Sequence, residues 1–291
     1  MTTMAITAKD VAELRARTQA GMMDCKKALE EAAGDMEKAA EILRKKGIAK
    51  AEKRADRSAS QGLVVIEASA DRRDAAMIEL NCETDFVAKT DDFIKLAGEL
   101  ARHALAHAPE GMHPGSAIDG QPFRGTTVAG AVKEASGKIG EAMALKRVAR
   151  FRQGAGIVAS YLHFTGLVGV LVDLEGPAGE ALTVLERQLA LHIASADPQP
   201  LGVQESDLPA DLIATERRIA GEMVAQEGKP ENIRAKIVDG KVRKFVADRT
   251  LLGQPFVMDD KQSVGDIVKQ AAKAAGGPIT VKRFARFKVG E

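Results

Sequence analysis

The five histidines are the first candidates for chemistry, because imidazole binds metals and carries protons near neutral pH. His103 and His107 are four residues apart, which places both rings on one face of a helix. A zinc site needs a further ligand, and the sequence has neither a Cys-x-x-Cys pair nor a His-Glu-x-x-His motif. His113, His163 and His192 show no metal spacing either. The pattern therefore favours exposed helix residues over a metal site.

A Gly-Lys pair in "ASGKIGE" (135–141) is the closest approach to a phosphate-binding loop. The upstream glycine of such a loop is absent at the required distance, and Ile139 occupies the position where serine or threonine is needed. The acidic residues have no spacing that selects an acid–base pair. The sequence gives no positive indication of an enzyme, a cofactor or a metal, and it indicates a protein that acts by binding.

Composition restricts the classes of protein further. A chain of 291 residues with a net charge of +1 suggests two or three globular domains and no general attraction to nucleic acid or membrane. Tryptophan is absent and tyrosine occurs once, which argues against aromatic platforms for single strands. Cys25 and Cys82 lie in apolar segments, as buried reduced thiols do, and no signal peptide or membrane span is evident. We therefore expect a cytoplasmic protein.

The first 47 residues are predicted to be helical. Thr7 is a candidate cap for a first helix, Asp35 caps a third, and Gly47 is expected to end that helix. Positive charges dominate residues 44–60. A basic stretch of this kind can bind phosphate. Interspersed acids and the lack of aromatics favour a solvated linker instead.

From Gly62 the pattern changes to strands separated by helices and turns. We predict strands at 63–69, 75–82, 143–151, 157–164 and 167–176, helices at about 91–108 and 179–195, and a loop at 109–127. Residues 207–249 are densely charged and predict a projecting helical hairpin. Its narrow apolar stripe consists of Leu212, Ile219, Met223, Ile233, Ile237, Val242 and Phe245.

Residues 127–151 align without a gap with residues 263–287. The identical pairs are Val128/Val264, Val132/Val268, Lys133/Lys269, Ala135/Ala271, Gly140/Gly276, Lys146/Lys282, Arg147/Arg283, Ala149/Ala285, Arg150/Arg286 and Phe151/Phe287. This repeat predicts that 62–151 and 157–287 are two versions of one strand–strand–helix–helix–strand unit, the second carrying the hairpin as an insertion. Apolar and basic residues alternate along the last strand of each repeat. This alternation predicts a sheet edge or solvent face for Lys146, Arg147 and Arg150 rather than a phosphate site.

The stretch "ELNCETDFVAKTDDF" (79–93) places an acid beside one of the nine phenylalanines, between a predicted buried strand and a helix. Phe86 either turns into the core or is presented to another molecule. Its spacing to Phe93, Leu96 and Leu100 is close to a helical stripe, so the residues alone favour a core position.

Five segments, in order, resemble the bacterial elongation factor Ts family. They are "ELRARTQAGMMDCKKAL" (13–29), "LNCETDFVAK" (80–89), "KIGE" (138–141), "SYLHF" (160–164) and "LLGQPFVM" (251–258). The resemblance extends from about residue 5 to residue 291. It implies an α+β fold: a three-helix domain similar to ubiquitin-associated domains (1–55, with the basic linker), a core N-subdomain (56–152), and a core C-subdomain (153–291) with the hairpin as a coiled coil.

The resemblance also implies a function: guanine-nucleotide exchange on elongation factor Tu, without covalent chemistry and without a cofactor. Thr84, Asp85, Phe86 and Val87 would be presented near the magnesium site of that partner. Further contact positions would be Arg15, Met22, Met23, Ile139, His163, Val257 and Met258. Since adjacent helical residues point in different directions, we expect one of Met22 and Met23 to be a contact and the other to be core.

Three contact positions have an ordinary structural explanation: Ile139 as core, His163 as a half-buried strand residue, Val257 as strand packing. The family often continues into a C-terminal helical module, and this sequence stops at "RFKVGE", so we expect that contact to be absent. The sequence leaves open whether the hairpin forms a homodimer. The rival functions are an RNA- or ribosome-binding accessory protein without exchange activity, and an unrecognised enzyme.

Overall fold

The computed structural model describes residues 6–18, 20–52, 54, 56–227 and 230–291. Parts of three predicted features lie outside the described residues: 1–5 and 19 of the helical region, 53 and 55 of the linker, and 228–229 of the hairpin connection. The chain divides into two compact units. The first comprises Met1–Val65, Ile78–Ala149 and Lys288–Glu291, and the second comprises Ile66–Met77 and Arg150–Phe287.

Three helices come first and mixed helices and strands follow. The helices are α1 (Ala8–Thr18), α2 (Met22–Glu31), α3 (Met36–Glu52), α4 (Asp85–Ala88), α5 (Asp91–His107), α6 (Val128–Ile139), α7 (Glu180–Ser195), α8 (Ala210–Gln226), α9 (Glu231–Arg249) and α10 (Val264–Ala274). The strands are β1 (Gln61–Ala68), β2 (Asp74–Cys82), β3 (Gly111–Pro114), β4 (Pro122–Phe123), β5 (Thr126–Thr127), β6 (Met143–Arg152), β7 (Gly156–Leu162), β8 (Val168–Glu175), β9 (Pro255–Phe256), β10 (Asp259–Ser263) and β11 (Thr280–Lys288).

The first three helices pack around a small apolar cluster that includes Leu14, Cys25 and Leu29, all fully buried. Both predicted caps are confirmed. The hydroxyl oxygen of Thr7 accepts a hydrogen bond from the amide of Asp10 at 3.2 Å, and the carboxylate of Asp35 accepts from two amides at the start of α3. These bonds satisfy helix N–H groups that have no partner within the helix.

The prediction that Gly47 ends the third helix is wrong, because α3 continues to Glu52. Gly47 instead lies inside α3 where this helix crosses α6 closely, and the missing side chain of Gly137 allows that crossing. A Cβ atom added at Gly137 would lie 2.5 Å from the carbonyl oxygen of Gly47. An ion pair between Arg44 and Glu134 at 2.5 Å spans the same crossing. The crossing thus depends on Gly137, since a Cβ atom added at Gly47 would meet α6 only at 3.8 Å, an ordinary contact distance.

The predicted solvated linker is partly wrong for the same reason, since its first residues belong to α3. Four of its basic side chains also have acidic partners: Arg44 pairs with Glu134, Lys45 with Glu41, Lys46 with Glu31 and Arg57 with Glu83. Such pairing lowers the capacity of this segment to neutralise phosphate.

A four-stranded sheet has the order β1-β2-β6-β3. Strand β2 is buried at all positions after Asp74, which confirms the predicted buried strand. Helix α5 contributes Phe93, Leu96 and Leu100 to the buried interior. The predicted loop at 109–127 is wrong in part, because it contains β3 and the short β4–β5 pair. Strands of two to four residues are too short to leave a periodic signal.

The second unit contains a three-stranded sheet with the order β11-β8-β7, in which β7 and β8 are antiparallel. Its core includes Val172, Leu185, Leu189 and Val264. Two strands, a long helix, a short strand pair, a further helix and a final strand follow one another here, as they do between β1 and β6. The element order therefore agrees with the sequence repeat.

Helices α8 and α9 pack against each other, joined by an ion pair between Arg217 and Asp239 at 2.5 Å. The predicted apolar stripe is partly wrong. Ile219, Met223 and Ile233 are exposed, and the buried positions are Leu208, Ala220, Val224, Val242 and Val246. Most of these buried positions are alanine or valine. Choosing the largest apolar side chains therefore selects residues that face solvent instead of the contact between α8 and α9.

The prediction of a solvent face for the basic side chains of β6 is wrong for Arg147 and Arg150. Arg147 Nε donates to the carboxylate of Glu79 at 2.5 Å, and Glu79 is fully buried. Arg150 donates to Asp74 at 2.7 Å. In the second unit Arg283, the repeat equivalent of Arg147, donates to the buried Asp173 at 2.9 Å. A buried carboxylate requires a paired cation, which these arginines supply.

Candidate functional site

The turn after β2 presents Phe86, whose side chain is 79% exposed. Phe86 lies on the single-turn helix α4, and the hydroxyl oxygen of Thr84 caps that turn by accepting from the amide of Val87 at 3.4 Å. Thr84 and Val87 are half-buried, whereas Asp85 and Phe86 are exposed. The core position that the residues alone favour for Phe86 is therefore wrong.

Glu141 binds the same turn from the end of α6. The amide and the hydroxyl of Thr84 donate to the two carboxylate oxygens of Glu141, at 3.0 and 2.6 Å. In return, the amide of Ala142 donates to the carboxylate of Glu83 at 2.7 Å. The structure thus brings the "TDFV" and "KIGE" segments together. Sequence reasoning missed Glu141, although an acid directly after a helix-ending glycine was a usable signal.

Ile139 is the last residue of α6 and is half-buried. Gly140 follows it in the left-handed region, with φ of 92°, and closes the helix. The predicted site residue Ile139 therefore lies two residues before the carboxylate that holds Thr84. Its partial burial is compatible both with a packing role and with a contact at its exposed edge.

The charges around the turn are fixed by neighbours. Lys89 donates to the carboxylate of Asp85 at 2.6 Å, and this hydrogen bond lowers the pKa of Asp85 below its ordinary value. Burial, and secondarily the charge of Glu141, raise the pKa of the Cys82 thiol to about 11. Cys82 therefore stays a neutral thiol, which donates to the carbonyl oxygen of Thr84 at 3.1 Å.

Met22 and Met23 begin α2 and are 56% and 64% exposed. The expectation that one of them is core is wrong, because Cys25, Ala28 and Leu29 supply the buried face of this helix. Arg15 on α1 is also exposed, and it lines a shallow surface depression together with Met22. The three predicted residues thus lie on the surface of the helical region, with two flexible thioether side chains available for contact.

The β7–β8 turn carries His163, which is half-buried. Its Nδ1 lies 2.7 Å from the hydroxyl of Thr165, and the amide of Gly166 donates to the carbonyl of His163 at 2.8 Å. Phe164 at the tip is 92% exposed, with its ring centroid 4.4 Å from that of His163. Sequence reasoning missed Phe164, although an aromatic residue before a Thr-Gly turn was a signal.

Val257 and Met258 form the turn between β9 and β10 and are 51% and 67% exposed. His192 holds this turn from α7: its Nδ1 accepts from the amide of Val257 at 3.2 Å, and its Nε2 donates to the amide oxygen of Gln254 at 2.9 Å. Burial lowers the pKa of His192. The ring is therefore neutral at physiological pH, with the proton on Nε2.

The prediction that His103 is exposed is wrong, because this residue is half-buried. Its Nε2 lies 2.8 Å from Gln121 Oε1. Within the described ranges, no three His, Cys, Asp or Glu side chains are arranged to hold a metal ion. Among the same residues, no helix is both long and apolar enough to cross a membrane. What the geometry offers is a set of exposed apolar side chains on firmly held turns, a typical arrangement for protein recognition.

Comparison with known proteins finds relatives over nearly the whole chain. The family model for "Elongation factor TS" matches residues 83–291. "Elongation factor Ts" of a Nitratiruptor species is 45% identical over 293 aligned residues, covering 99% of this chain and 94% of that protein. "Elongation factor Ts" of Aquifex aeolicus is 44% identical, covering 99% of each chain. "Elongation factor Ts" of Thiobacillus denitrificans is 46% identical, covering 98% of this chain and 92% of that protein. With matches of this length and identity, the chain belongs to the elongation factor Ts family.

Proposed function

We propose that this protein is a guanine-nucleotide exchange factor of translation elongation, which binds GDP-bound elongation factor Tu and promotes release of GDP so that GTP can bind. The observation that carries the proposal is the exposed ring of Phe86 on a capped and externally bonded turn, in a chain of this family. An exposed aromatic residue on a rigid turn is suited to insertion into another protein, because little conformational entropy is lost on binding.

Nucleotide release from a GTPase is a problem of electrostatics. The nucleotide is held by backbone amides and by Mg²⁺ at its phosphates, and nanomolar affinity corresponds to about −12 kcal/mol. An acceleration of about 10⁴-fold requires lowering the barrier by about 5.5 kcal/mol. Phe86 would act as a wedge that displaces the backbone around the magnesium ligand in elongation factor Tu. Thr84, Asp85 and Val87 would accompany it at the contact.

The other predicted contact positions would supply the affinity that offsets this distortion. Arg15, Met22 and Met23 would dock on the GTPase domain, with residues 1–55 acting as a domain similar to ubiquitin-associated domains. Ile139 and His163 would add contacts to the GTPase domain, and Val257 and Met258 would contact a second domain. Phe164, next to His163, would extend that apolar surface.

Thermodynamic linkage fixes the character of the activity. If binding of this protein weakens nucleotide binding to elongation factor Tu by some factor, the nucleotide weakens binding of this protein by the same factor. Exchange is therefore accelerated in both directions, and the cellular ratio of GTP to GDP sets the direction. No covalent step and no cofactor of its own is needed.

We assign residues 56–152 and 153–291 as two subdomains of a duplicated core, and α8–α9 as a coiled coil through which a homodimer could form. The setting is the cytoplasm. The acidic partners of Arg44, Lys45 and Lys46 argue against the rival RNA-binding function.

The test is a stopped-flow measurement of labelled GDP leaving elongation factor Tu, with and without this protein. We expect concentration-dependent acceleration, which Phe86→Ala strongly reduces. Met112→Ala is the matched control, because Met112 is also an exposed apolar side chain of the first unit, at 57%, and should leave release unchanged. No acceleration by the unmodified protein would refute the exchange function, and salt-dependent RNA binding would then favour the rival.

A further inference from the structure

The geometry points to Glu141 as a positioning residue for exchange: its carboxylate fixes the turn that carries Phe86 in the orientation needed for insertion. The inference rests on the proposed exchange function and goes beyond it, because Glu141 acts through Thr84 rather than through contact with the partner. It assigns to the "KIGE" segment the role of a structural clamp on the "TDFV" segment.

Both oxygens of the Glu141 carboxylate are engaged by one residue. The backbone amide of Thr84 donates to one oxygen at 3.0 Å and its hydroxyl donates to the other at 2.6 Å. Hydrogen bonds to an ionised group are roughly twice as strong as neutral ones, and two bonds to one carboxylate also fix its orientation. The hydroxyl oxygen of Thr84 simultaneously accepts from the amide of Val87. The clamp and the cap of α4 thus share a single hydroxyl group.

Glu141 is itself held in place. The hydroxyl of Ser136, a buried residue of α6, donates to the carbonyl oxygen of Glu141 at 2.6 Å. The left-handed conformation of Gly140 turns the chain out of α6 immediately before it. The reciprocal bond from the amide of Ala142 to the carboxylate of Glu83, at 2.7 Å, closes a ring of contacts between the two segments. The backbone of Glu141 is therefore held in place, which limits the positions that its carboxylate can take.

The turn needs such external support. Helix α4 has only four residues, Asp85–Ala88, and a single helical turn is unstable by itself because nucleation is unfavourable. Phe86 is largely solvent-exposed, so its own side chain gives the turn little packing. A turn that fluctuates would present the ring in many orientations. The conformational entropy lost when binding selects one of them would oppose insertion into the partner. Loss of the clamp should therefore slow release at saturation more than it weakens binding.

The experiment combines kinetics with a double-mutant cycle. GDP release is measured at saturating exchange factor for the unmodified protein, Glu141→Ala, Phe86→Ala and the double variant. We expect Glu141→Ala to lower the saturating rate about tenfold, with the half-saturating concentration changing by less than about twofold. In the Phe86→Ala background the same change should lower the rate by less than about twofold, since the group it positions is gone.

Two further variants separate positioning from general damage. Thr84→Val removes the hydroxyl that donates to Glu141 and that also caps α4, so it should lower the saturating rate as well, and it tests the contact from its other side. Glu134→Ala is the control, because it removes a carboxylate from α6, the helix that precedes Glu141, and this carboxylate pairs with Arg44 and not with Thr84. It should release GDP at the unmodified rate.

Amide hydrogen exchange of the free protein gives a readout that does not depend on the partner. Thr84 and Val87 amides should exchange faster in Glu141→Ala than in the unmodified protein, while amides of β2 stay protected. An equal rate loss in both Phe86 backgrounds, or unchanged exchange at Thr84, would overturn the inference. If the unmodified protein does not accelerate GDP release, the exchange function fails, and the hydrogen exchange still decides whether Glu141 holds the turn.

Discussion

Phe86 and Phe93 are seven residues apart, yet Phe86 exposes 79% of its side chain and Phe93 is fully buried. On one continuous helix this spacing would place both rings on the same face. The helix is not continuous, because α4 ends at Ala88 and Thr90 caps the start of α5 by accepting from the amide of Phe93 at 3.4 Å. This break in helical phase is what turns Phe86 away from the core.

The opposite environments of the two rings give a paired prediction. Phe86→Ala should change the free energy of unfolding by less than about 0.5 kcal/mol, because an exposed ring contributes little to the core. Phe93→Ala should lower it by about 3–5 kcal/mol through loss of burial and formation of a cavity. Urea denaturation of both variants measures these values. A large destabilisation by Phe86→Ala would mean that the ring packs in solution, contrary to the proposed presentation.

The crossing of α3 and α6 predicts that Gly137 does not tolerate a larger residue. Gly137→Ala would place Cβ 2.5 Å from the carbonyl oxygen of Gly47, and we expect a net loss of about 1–3 kcal/mol from overpacking. Gly98→Ala is the control within α5, because its Cβ would meet only Arg102 Nη1, at 3.8 Å. Gly98→Ala should stabilise by up to about 1 kcal/mol through helix propensity. Thermal unfolding of both variants decides the matter, and stabilisation by Gly137→Ala would show that the crossing is loose.

The sequence predicted helices and strands well where the pattern was long and the termini were marked. Thr7 and Asp35 cap α1 and α3 as predicted, and the repeat anticipated the shared order of elements. Gly47 shows why the rest failed: a glycine that ends a helix and a glycine inside a helix, where a second helix passes close by, look identical in one sequence. Only the position of Gly137 on a distant helix distinguishes them.

The candidate site shows the same limit. Residue pattern alone favoured a core position for Phe86, and the resemblance to a family corrected it. Neither pointed to Glu141, because its bond to Thr84 joins residues far apart in sequence. Arg147 was assigned to a solvent face because alternation reports which side of a strand a residue lies on. It does not report whether a buried acid such as Glu79 lies beneath it.

His192 predicts a pH dependence of stability. Burial lowers its pKa from the ordinary value of about 6.5, so the unfolded chain binds a proton at a pH where the folded protein does not. The corresponding stability is fully present above pH about 6.5 and is lost as the pH falls below that value. His192→Gln, which is neutral throughout, should show a smaller decrease between neutral and mildly acidic pH. Chemical denaturation across this range measures the difference, and equal slopes for the two proteins would refute the assignment.

Cys82 provides the last prediction, because its thiol lies directly before the Phe86 turn. Burial first, and the charge of Glu141 second, raise its pKa to about 11. The folded protein should therefore react slowly with iodoacetamide at neutral pH, since only the thiolate is nucleophilic. Stability from this group is complete below the unfolded pKa of about 8.5 and is lost as the pH rises towards the folded value.

The titration of Cys82 is measured most directly in the Cys25→Ala variant, which leaves Cys82 as the sole thiol. Thiolate absorbance should then rise only in strongly alkaline buffer, with a midpoint well above that of a free cysteine. Adding Glu141→Gln should lower the midpoint, because it removes the negative charge that disfavours the thiolate, and burial should still keep it above the ordinary value. A midpoint near that of free cysteine would show that the segment joining β2 to the Phe86 turn is open to solvent, and the rigid presentation of Phe86 would lose its support.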